Sequence, residues 1–397
     1  MNVLQVYTSD YPHVGGGVDA VVHSLLRGSR DDCVHSLLRV RPWHERELEQ
    51  QRVQGVTVHN LYLPTPPGRR AGLRTWLAFL LLAPRAAARL RCLLREMHTD
   101  LVHLHTLQHY HLYFLLATLL GGPPYVVTLH GSEVHAYASR DWLSRAVWRW
   151  VLRRAAAVSA VSDTLTHDAR TLLPAASRVV SIRNGVELNP DGVPHDLETR
   201  ARLDLPARYC VMVGHLSAVK GHDVGLRAWR HLPASCADVA LVVIGDGEQA
   251  SVYRAQVERD GVASRVRFLG QLEHAETLAV IHASQVLLMP SRREGFGLVA
   301  IEAGAGGVAV IASDLPVFRE LFGPELCGVL VPPDDAQALA RAAASLLKDE
   351  SLRVRLGAAL RARVEREFRA ECCLEQYRGW YRAVIMNTVA MGRRRPA

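Results

Sequence analysis

No segment of this 397-residue chain is long and apolar enough to span a bilayer. The longest apolar runs, Trp76 to Pro84 and Leu112 to Gly122, fall short of the roughly 20 residues a spanning helix needs. The N-terminus also lacks the basic stretch and long apolar core of a signal peptide, since Met1-Asn2-Val3-Leu4-Gln5-Val6-Tyr7 enters a strand directly. The seven cysteines contain no C-x-x-C pair, and Cys372 and Cys373 are adjacent, a poor start for a metal site or an ordinary disulfide. Such a scattered, odd set suits a reducing cytosol, so a cytoplasmic protein is expected. No G-x-G-x-x-G follows the first strand, where Gly15-Gly16-Gly17 stands instead, so a Rossmann oxidoreductase lacks its fingerprint. No basic groove interleaved with aromatics is visible, and nucleic acid is not an expected partner. His98, His103, His105, His109 and His111 crowd one stretch, but no carboxylate or cysteine completes a zinc set around them, and no metal is expected.

What is present fits a globular protein with two cores. The chain is 49% hydrophobic and 22% charged, and its length suits two domains of ordinary size. Its net charge of +8 favours anionic partners. Strand-like and helix-like segments alternate throughout, the pattern of parallel sheets with helices on both faces. Val3–Val6, Leu101–Leu104, Tyr125–Leu129, Ala157–Ala160 and Val179–Arg183 read as strands of a first sheet. A second set comprises Tyr209–Val213, Val239–Ile244, Val266–Leu269, Val286–Met289, Val308–Ala312 and Gly328–Val331. Between them Asn189-Pro190-Asp191-Gly192-Val193-Pro194-His195-Asp196 is rich in turn formers. The expected division is therefore a first domain over 1–188, a linker over 189–206, a second domain over 207–373, and a last helix over 374–391 returning to the first domain.

Leu73, Trp76, Leu77, Leu80 and Leu81 recur at helical spacing, followed by Arg85, Arg89, Arg91 and Arg95, with Pro84 expected to kink or split the helix. The favoured reading is a helix packed on the first sheet. The alternative is a basic, apolar surface docked on anionic membrane, a peripheral membrane contact.

The most informative segment is Glu294-Gly295-Phe296-Gly297-Leu298-Val299-Ala300-Ile301-Glu302. It follows the apolar strand ending at Pro290, so its context is strand, loop, helix. Glu294 falls in the loop, Gly297 and Leu298 open the helix, and Glu302 lies one turn inside it. The free N–H groups of a helix start make an anion site, which the dipole strengthens.

This segment resembles the E-x7-E motif of the retaining glycosyltransferases of family 4, the glycosyl transferases of group 1. Other stretches match in order: Gly15-Gly16-Gly17 after the first strand, Asp100-Leu101-Val102-His103-Leu104-His105, Thr128-Leu129-His130-Gly131 and Asn184-Gly185-Val186. They continue with Gly214-His215-Leu216-Ser217-Ala218-Val219-Lys220-Gly221, Gly245-Asp246-Gly247 and Val266-Arg267-Phe268-Leu269-Gly270. The resemblance covers nearly the whole chain.

It implies the GT-B architecture, two Rossmann-like doubly wound α/β domains facing each other across a cleft. It also implies a retaining, metal-independent transfer from a UDP- or GDP-sugar to a hydroxyl of a glycan, lipid-linked or small-molecule acceptor, with no cofactor. Attack would come on the front face, the leaving diphosphate itself helping to deprotonate the acceptor. By the resemblance, Lys220, His215 and the backbone of Phe296, Gly297 and Leu298 hold the diphosphate. Glu294 binds sugar hydroxyls, Glu302 accepts from the ribose, and Gly245, Leu269 and Leu272 flank the nucleobase. Gly16 and Gly17 let the backbone approach the sugar phosphate, and His130 lies near the transferred sugar, where it could stabilise developing charge. No D-x-D after an apolar strand offers the metal–diphosphate motif of the other main glycosyltransferase fold. One position departs from the family: His215 stands where it has Arg. Either His215 works protonated, or Arg183 substitutes for it, or donor binding weakens. The alternatives are a catalytically inactive, sugar-nucleotide-binding partner of another transferase, or another GT-B enzyme such as an epimerase or a phosphorylase.

Overall fold

The computed structural model describes residues 1–8, 11, 16–42, 48–64, 72–172, 179–188 and 197–393. Gly15, Asn189 to Asp196 and residues 394–397 lie outside them. The chain divides into two compact units, Met1–Arg183 with Cys373–Ala397, and Asn184–Cys372.

The first unit is built on eight strands: β1 (Asn2–Val6), β2 (Val34–Pro42), β3 (Leu48–Val53), β4 (Val56–Leu63), β5 (Leu101–His105), β6 (Tyr125–Leu129), β7 (Ala157–Ala160) and β8 (Val179–Ser181). Their order is β3-β4-β2-β1-β5-β6-β7-β8. Only β3 runs antiparallel to its neighbour. The order reverses direction at β1, which pairs with β2 on one side and β5 on the other. On one face the helix Gly17–Arg27 packs with the C-terminal helix Ala370–Arg393. Val21, Leu25, Tyr377 and Tyr381 form one core there with Val3, Leu101 and Val126 of the sheet. Two fully buried tyrosines make the C-terminal helix an integral layer of this unit, because each aromatic buries a large apolar area.

The second unit has six parallel strands: β9 (Tyr209–Val213), β10 (Ala240–Ile244), β11 (Val266–Gly270), β12 (Val286–Met289), β13 (Ala309–Ser313) and β14 (Val329–Val331). Their order, β11-β10-β9-β12-β13-β14, is that of the doubly wound dinucleotide fold. β12 and β13 are buried along their whole length, which is why they read as continuous apolar runs without alternation.

Strands β2, β3 and β4 were not among the sequence expectations. β2 carries His35, Arg39 and Arg41, and β3 (LEQQRV) is polar apart from Leu48 and Val53 at its two ends, as suits an edge strand. The signal that would have found the β3–β4 hairpin is Gln54-Gly55. Both residues have positive φ, the two-residue turn that matches strand twist. The last strand of the first sheet is shorter than expected, ending at Ser181. The expected linker contains the helix Leu197–Arg202, and the C-terminal helix begins at Ala370 rather than Leu374.

The segment expected to kink or split at Pro84 is one continuous helix, Leu73–Glu96. Its buried side is Phe79, Ala83, Ala87, Leu90 and Leu94. The predicted apolar stripe faces the other way: Leu73, Leu77, Leu80 and Leu81 are exposed, Leu73 by 75% and Leu81 by 66%. That buried side, which mixes two alanines with Phe79, Leu90 and Leu94, packs along the helix His111–Leu119, with Phe79 edge-on to Tyr113.

Candidate functional site

In the second unit the topology reverses between β9 and β12, and ligands of such sheets bind beyond the carboxyl ends of the strands at that point. Both loops that leave this point carry predicted residues. After β9 the chain turns through the short 3-10 helix Ala218–Lys220 into the helix His222–Arg230. Lys220 Nζ donates to Glu294 Oε1 at 2.7 Å, and Ser291 Oγ donates to the same oxygen at 2.9 Å. Glu294 is nearly buried, with 8% of its side chain exposed, against 32% for Lys220. The contact requires Gly221, which sits at φ 66 against Pro290; a Cβ there would meet the Pro290 carbonyl oxygen at 1.9 Å. Arg292 fastens the same two loops. Its backbone N–H donates to Val219 O, and its guanidinium forks onto Asp223 and reaches Asp334.

Gly297, at φ 93, is the N-cap of the helix Leu298–Ala305, and no side chain caps this end. A Cβ on Gly297 would strike the Phe318 ring at 2.8 Å, so the bare backbone is also a packing requirement. Phe296 packs edge-on against Phe368, and Leu298 is buried. Glu302 lies one turn in and is buried, with its Oε1 3.9 Å from His274 Nε2. Burial pushes its carboxyl up to about 7 from an ordinary 4.5. In the folded unit the group stays protonated where the unfolded chain has ionised. It therefore withdraws stability as pH rises from about 4.5 to about 7.

Gly245, at φ 126, presses against the next loop, where a Cβ would meet Gly214 O at 2.1 Å. Leu269 and Leu272 are half-buried, and Leu272 stands just before the helix His274–His282 that carries His274. His215 is exposed, and its Nε2 lies 2.9 Å from Glu248 Oε2. Arg183 belongs to the first unit, where its guanidinium is held by Asp163.

The first unit has its own cluster at its switch point. Gly17 opens the helix Gly17–Arg27 and Gly16 is its N-cap, in extended backbone that any residue could adopt. A Cβ on Gly16 would meet nothing nearer than Asp19 Oδ2 at 4.0 Å, so the fold itself makes no demand for glycine there. His130 follows β6. Its backbone N–H donates to the buried Glu133 at 2.6 Å, and its Nε2 lies 3.2 Å from His105 Nδ1. Burial drives the His130 imidazole down to about 3, so the ring is neutral at working pH. It therefore offers dipoles and a lone pair rather than the positive charge that stabilisation of a developing anion would use best. His103 and His105 are wholly buried and likewise held well below the usual imidazole range by burial. Among the described residues no group of three His, Cys, Asp or Glu is arranged to hold a metal ion.

Sequence reasoning missed Ser291, Arg292, Glu248, His274, Gln5 and Glu133. Ser291 and Arg292 adjoin the E-x7-E segment, and their place just after a buried strand was a usable signal. Glu133 lies only three residues after His130, and Glu248, His274 and Gln5 are brought in by tertiary packing.

These two α/β units are those of the GT-B fold. Sucrose-phosphate synthase from Thermosynechococcus elongatus has the same fold, with a TM-score of 0.77 at 24% identity over 97% of this chain and 99% of that one. Residues 198–363 match the family described as glycosyl transferases group 1, and residues 16–185 match the glycosyl transferase 4-like domain. The 2-deoxystreptamine N-acetyl-D-glucosaminyltransferase of Streptomyces fradiae is 32% identical over 84% of this chain and 83% of its own. Glycogen synthase of Mycobacterium tuberculosis is 29% identical over 69% of this chain, and the match spans 66% of that protein's length. The chain belongs to the group 1 glycosyltransferases.

Proposed function

We propose that this protein is a retaining glycosyltransferase. It moves a hexose or related sugar from a UDP- or GDP-sugar to a hydroxyl of a glycan, lipid-linked or small-molecule acceptor. The observation that carries this reading is the Lys220–Glu294 pair beside the uncapped start of the helix Leu298–Ala305. A departing diphosphate gathers negative charge, and a preset ammonium with aligned N–H groups stabilises it without reorganisation. That supply of positive charge from the protein supports metal-independent transfer. Glu294, fixed by Lys220 and Ser291, is suited to accept from sugar hydroxyls, and front-face attack assigns proton removal to the leaving diphosphate. Glu302 accepts from the ribose.

The test is a thermal-shift panel of UDP-, GDP-, ADP- and dTDP-sugars, with and without EDTA, followed by the anomeric configuration of the product. One donor at about 100 times its Kd should stabilise by about 2.7 kcal/mol, a rise in Tm of roughly 5–10 °C, unchanged by EDTA. Ribose hydroxyls donating to Glu302 would favour its ionised form, so binding should tighten between pH 6 and 8 with release of a proton. An inverted product, or binding abolished by EDTA, would overturn the mechanism. No shift with any donor would favour the inactive-partner reading, for which the exposed His215–Glu248 pair is the relevant observation.

We further propose that the first unit, which this reading assigns to the acceptor, docks on an anionic membrane. The helix Leu73–Glu96 packs along the helix His111–Leu119, which packs against the helix Trp142–Arg154. Leu73, Leu77, Leu80 and Leu81 of the first helix and Trp142 and Trp150 of the third are exposed. The three helices hold nine arginines and one acidic residue, Glu96. Exposed leucine and tryptophan among arginines suit the headgroup layer of an anionic bilayer. No helix among the described residues is long and apolar enough to cross one. The protein should co-sediment with phosphatidylglycerol vesicles and not with phosphatidylcholine. The Leu77→Glu/Leu81→Glu double variant should weaken binding at least about tenfold. Absence of binding to phosphatidylglycerol at low salt would exclude this surface.

A further inference from the structure

A buried chain of hydrogen bonds runs through the first unit to His130. Beginning at the core, Cys33 Sγ lies 3.4 Å from His35 Nε2, and His35 Nδ1 lies 2.9 Å from Gln5 Nε2. Gln5 Oε1 lies 2.8 Å from His105 Nε2, and His105 Nδ1 lies 3.2 Å from His130 Nε2. A side branch joins it. The second N–H of the Gln5 amide faces Tyr381 Oη at 3.5 Å; that hydroxyl lies 2.7 Å from His103 Nδ1, and His103 Nε2 lies 2.6 Å from Thr128 Oγ1. Gln5, His35, His103 and His105 are all buried.

Each ring in this chain is neutral, so each carries one N–H and one lone pair. Every link is then donor to acceptor, and one orientation sets them all. In the amide orientation that places both Gln5 N–H groups on His35 and Tyr381, the Gln5 oxygen is left for His105. His105 must carry its proton on Nε2 to meet that oxygen, and so presents a bare Nδ1 to His130. His130 in turn must carry its proton on Nε2. No described residue hydrogen-bonds His130 Nδ1.

We propose that Gln5, acting through His105, is a positioning residue that holds His130 in the Nε2–H tautomer. The free Nδ1 then accepts a hydrogen bond from a substrate sugar hydroxyl. This rests on the glycosyl-transfer reading for its functional meaning, but the tautomer itself does not. A neutral imidazole in solution interconverts between tautomers, and only one of them presents a lone pair at Nδ1. A buried partner that selects it removes the population unable to accept.

The test begins with side-chain nitrogen NMR of the full-length protein, which separates the two neutral tautomers of His130. The assignment comes from the resonance lost in His130→Asn. In the wild type His130 should be protonated on Nε2. Gln5→Met removes the acceptor at nearly constant volume and should give a mixture of tautomers. Gln5→Glu keeps an oxygen for His105 and should restore the single form. Turnover is read as hydrolysis of UDP-glucose and of GDP-mannose. For the probe that is turned over, Gln5→Met should lower kcat roughly tenfold with KM changed less than about twofold, and Gln5→Glu should recover most of the loss. A merely structural role would not make kcat follow the tautomer. A wild-type proton on Nδ1, or a His130 signal unchanged by Gln5→Met, would overturn the proposal even if that variant folds poorly, since the first reading needs no variant. A tautomer that shifts while kcat does not would remove its bearing on the reaction. Failure of the wild type to bind or hydrolyse any donor would instead defeat the glycosyl-transfer reading and leave the tautomer result standing.

Discussion

Lys220→Ala is expected to lower kcat/KM for glycosyl transfer by about 100- to 1,000-fold, the loss of roughly 2.7–4 kcal/mol that follows removal of one preorganised donor to a developing anion. The ammonium is held at 2.7 Å on Glu294, in a loop whose path is set by Gly221 and Arg292, so it reaches the leaving group without reordering. The loss should fall mainly on kcat, because negative charge on the diphosphate grows as the glycosidic bond breaks. A competing explanation is that the substitution harms only Glu294, left nearly buried without its cation. Lys220→Ala/Glu294→Gln separates the two. If the charge acts on the diphosphate, the double variant is at least as slow as Lys220→Ala. If the damage is the orphaned carboxylate, the double variant recovers. Steady-state kinetics on the donor selected by thermal shift decides between them.

Gly221→Ala is expected to unfold or severely loosen the second unit. The position combines φ 66, which costs an L side chain about 1–2 kcal/mol, with a backbone oxygen 1.9 Å from where the new Cβ would stand. That oxygen belongs to Pro290 at the end of β12 and has no flexible side chain to move aside. Separation of the two loops would add a few kcal/mol of overpacking strain. A total of about 3–5 kcal/mol corresponds to a fall in Tm of roughly 6–20 °C for a unit of this size. Differential scanning calorimetry should show the transition of the second unit displaced and that of the first unchanged. Gly55→Ala is the control: its φ is 81, but a Cβ there meets nothing within 4 Å, so the drop should be limited to backbone strain. Equal losses at the two positions would show that contact with Pro290 contributes nothing.

Elements with continuous apolar runs were legible almost to the residue. Tyr125–Leu129, Tyr209–Val213 and Val286–Met289 run as expected because a strand buried on both faces has little choice of composition. Strands β2 to β4 were not legible: β3 is a polar edge strand stabilised by its pairing with β4, and the apolar residues of β2 and β4 are interrupted by His35, Arg39, His59 and Asn60. The helix Leu73–Glu96 shows a subtler failure. Its existence was plain, but spacing offered two apolar stripes, and the one rich in leucine is turned to the outside.

At the candidate site the sequence by itself determined which groups stand at the strand ends. Glu294 in its loop, Glu302 one turn into the following helix, Lys220 before a left-handed glycine and His130 after a buried strand all follow from local pattern. Residue type and spacing along one strand–loop–helix unit determine them. Only the tertiary structure decided what those groups are paired with and how they are charged. Lys220 meets Glu294 from 74 positions away, and His215 is held by Glu248 from 33. Burial keeps Glu302 protonated up to about 7 and His130 neutral down to about 3. Partnership and protonation depend on distance and desolvation in three dimensions. Those quantities come from the packing of distant segments, and no local pattern of residues carries them.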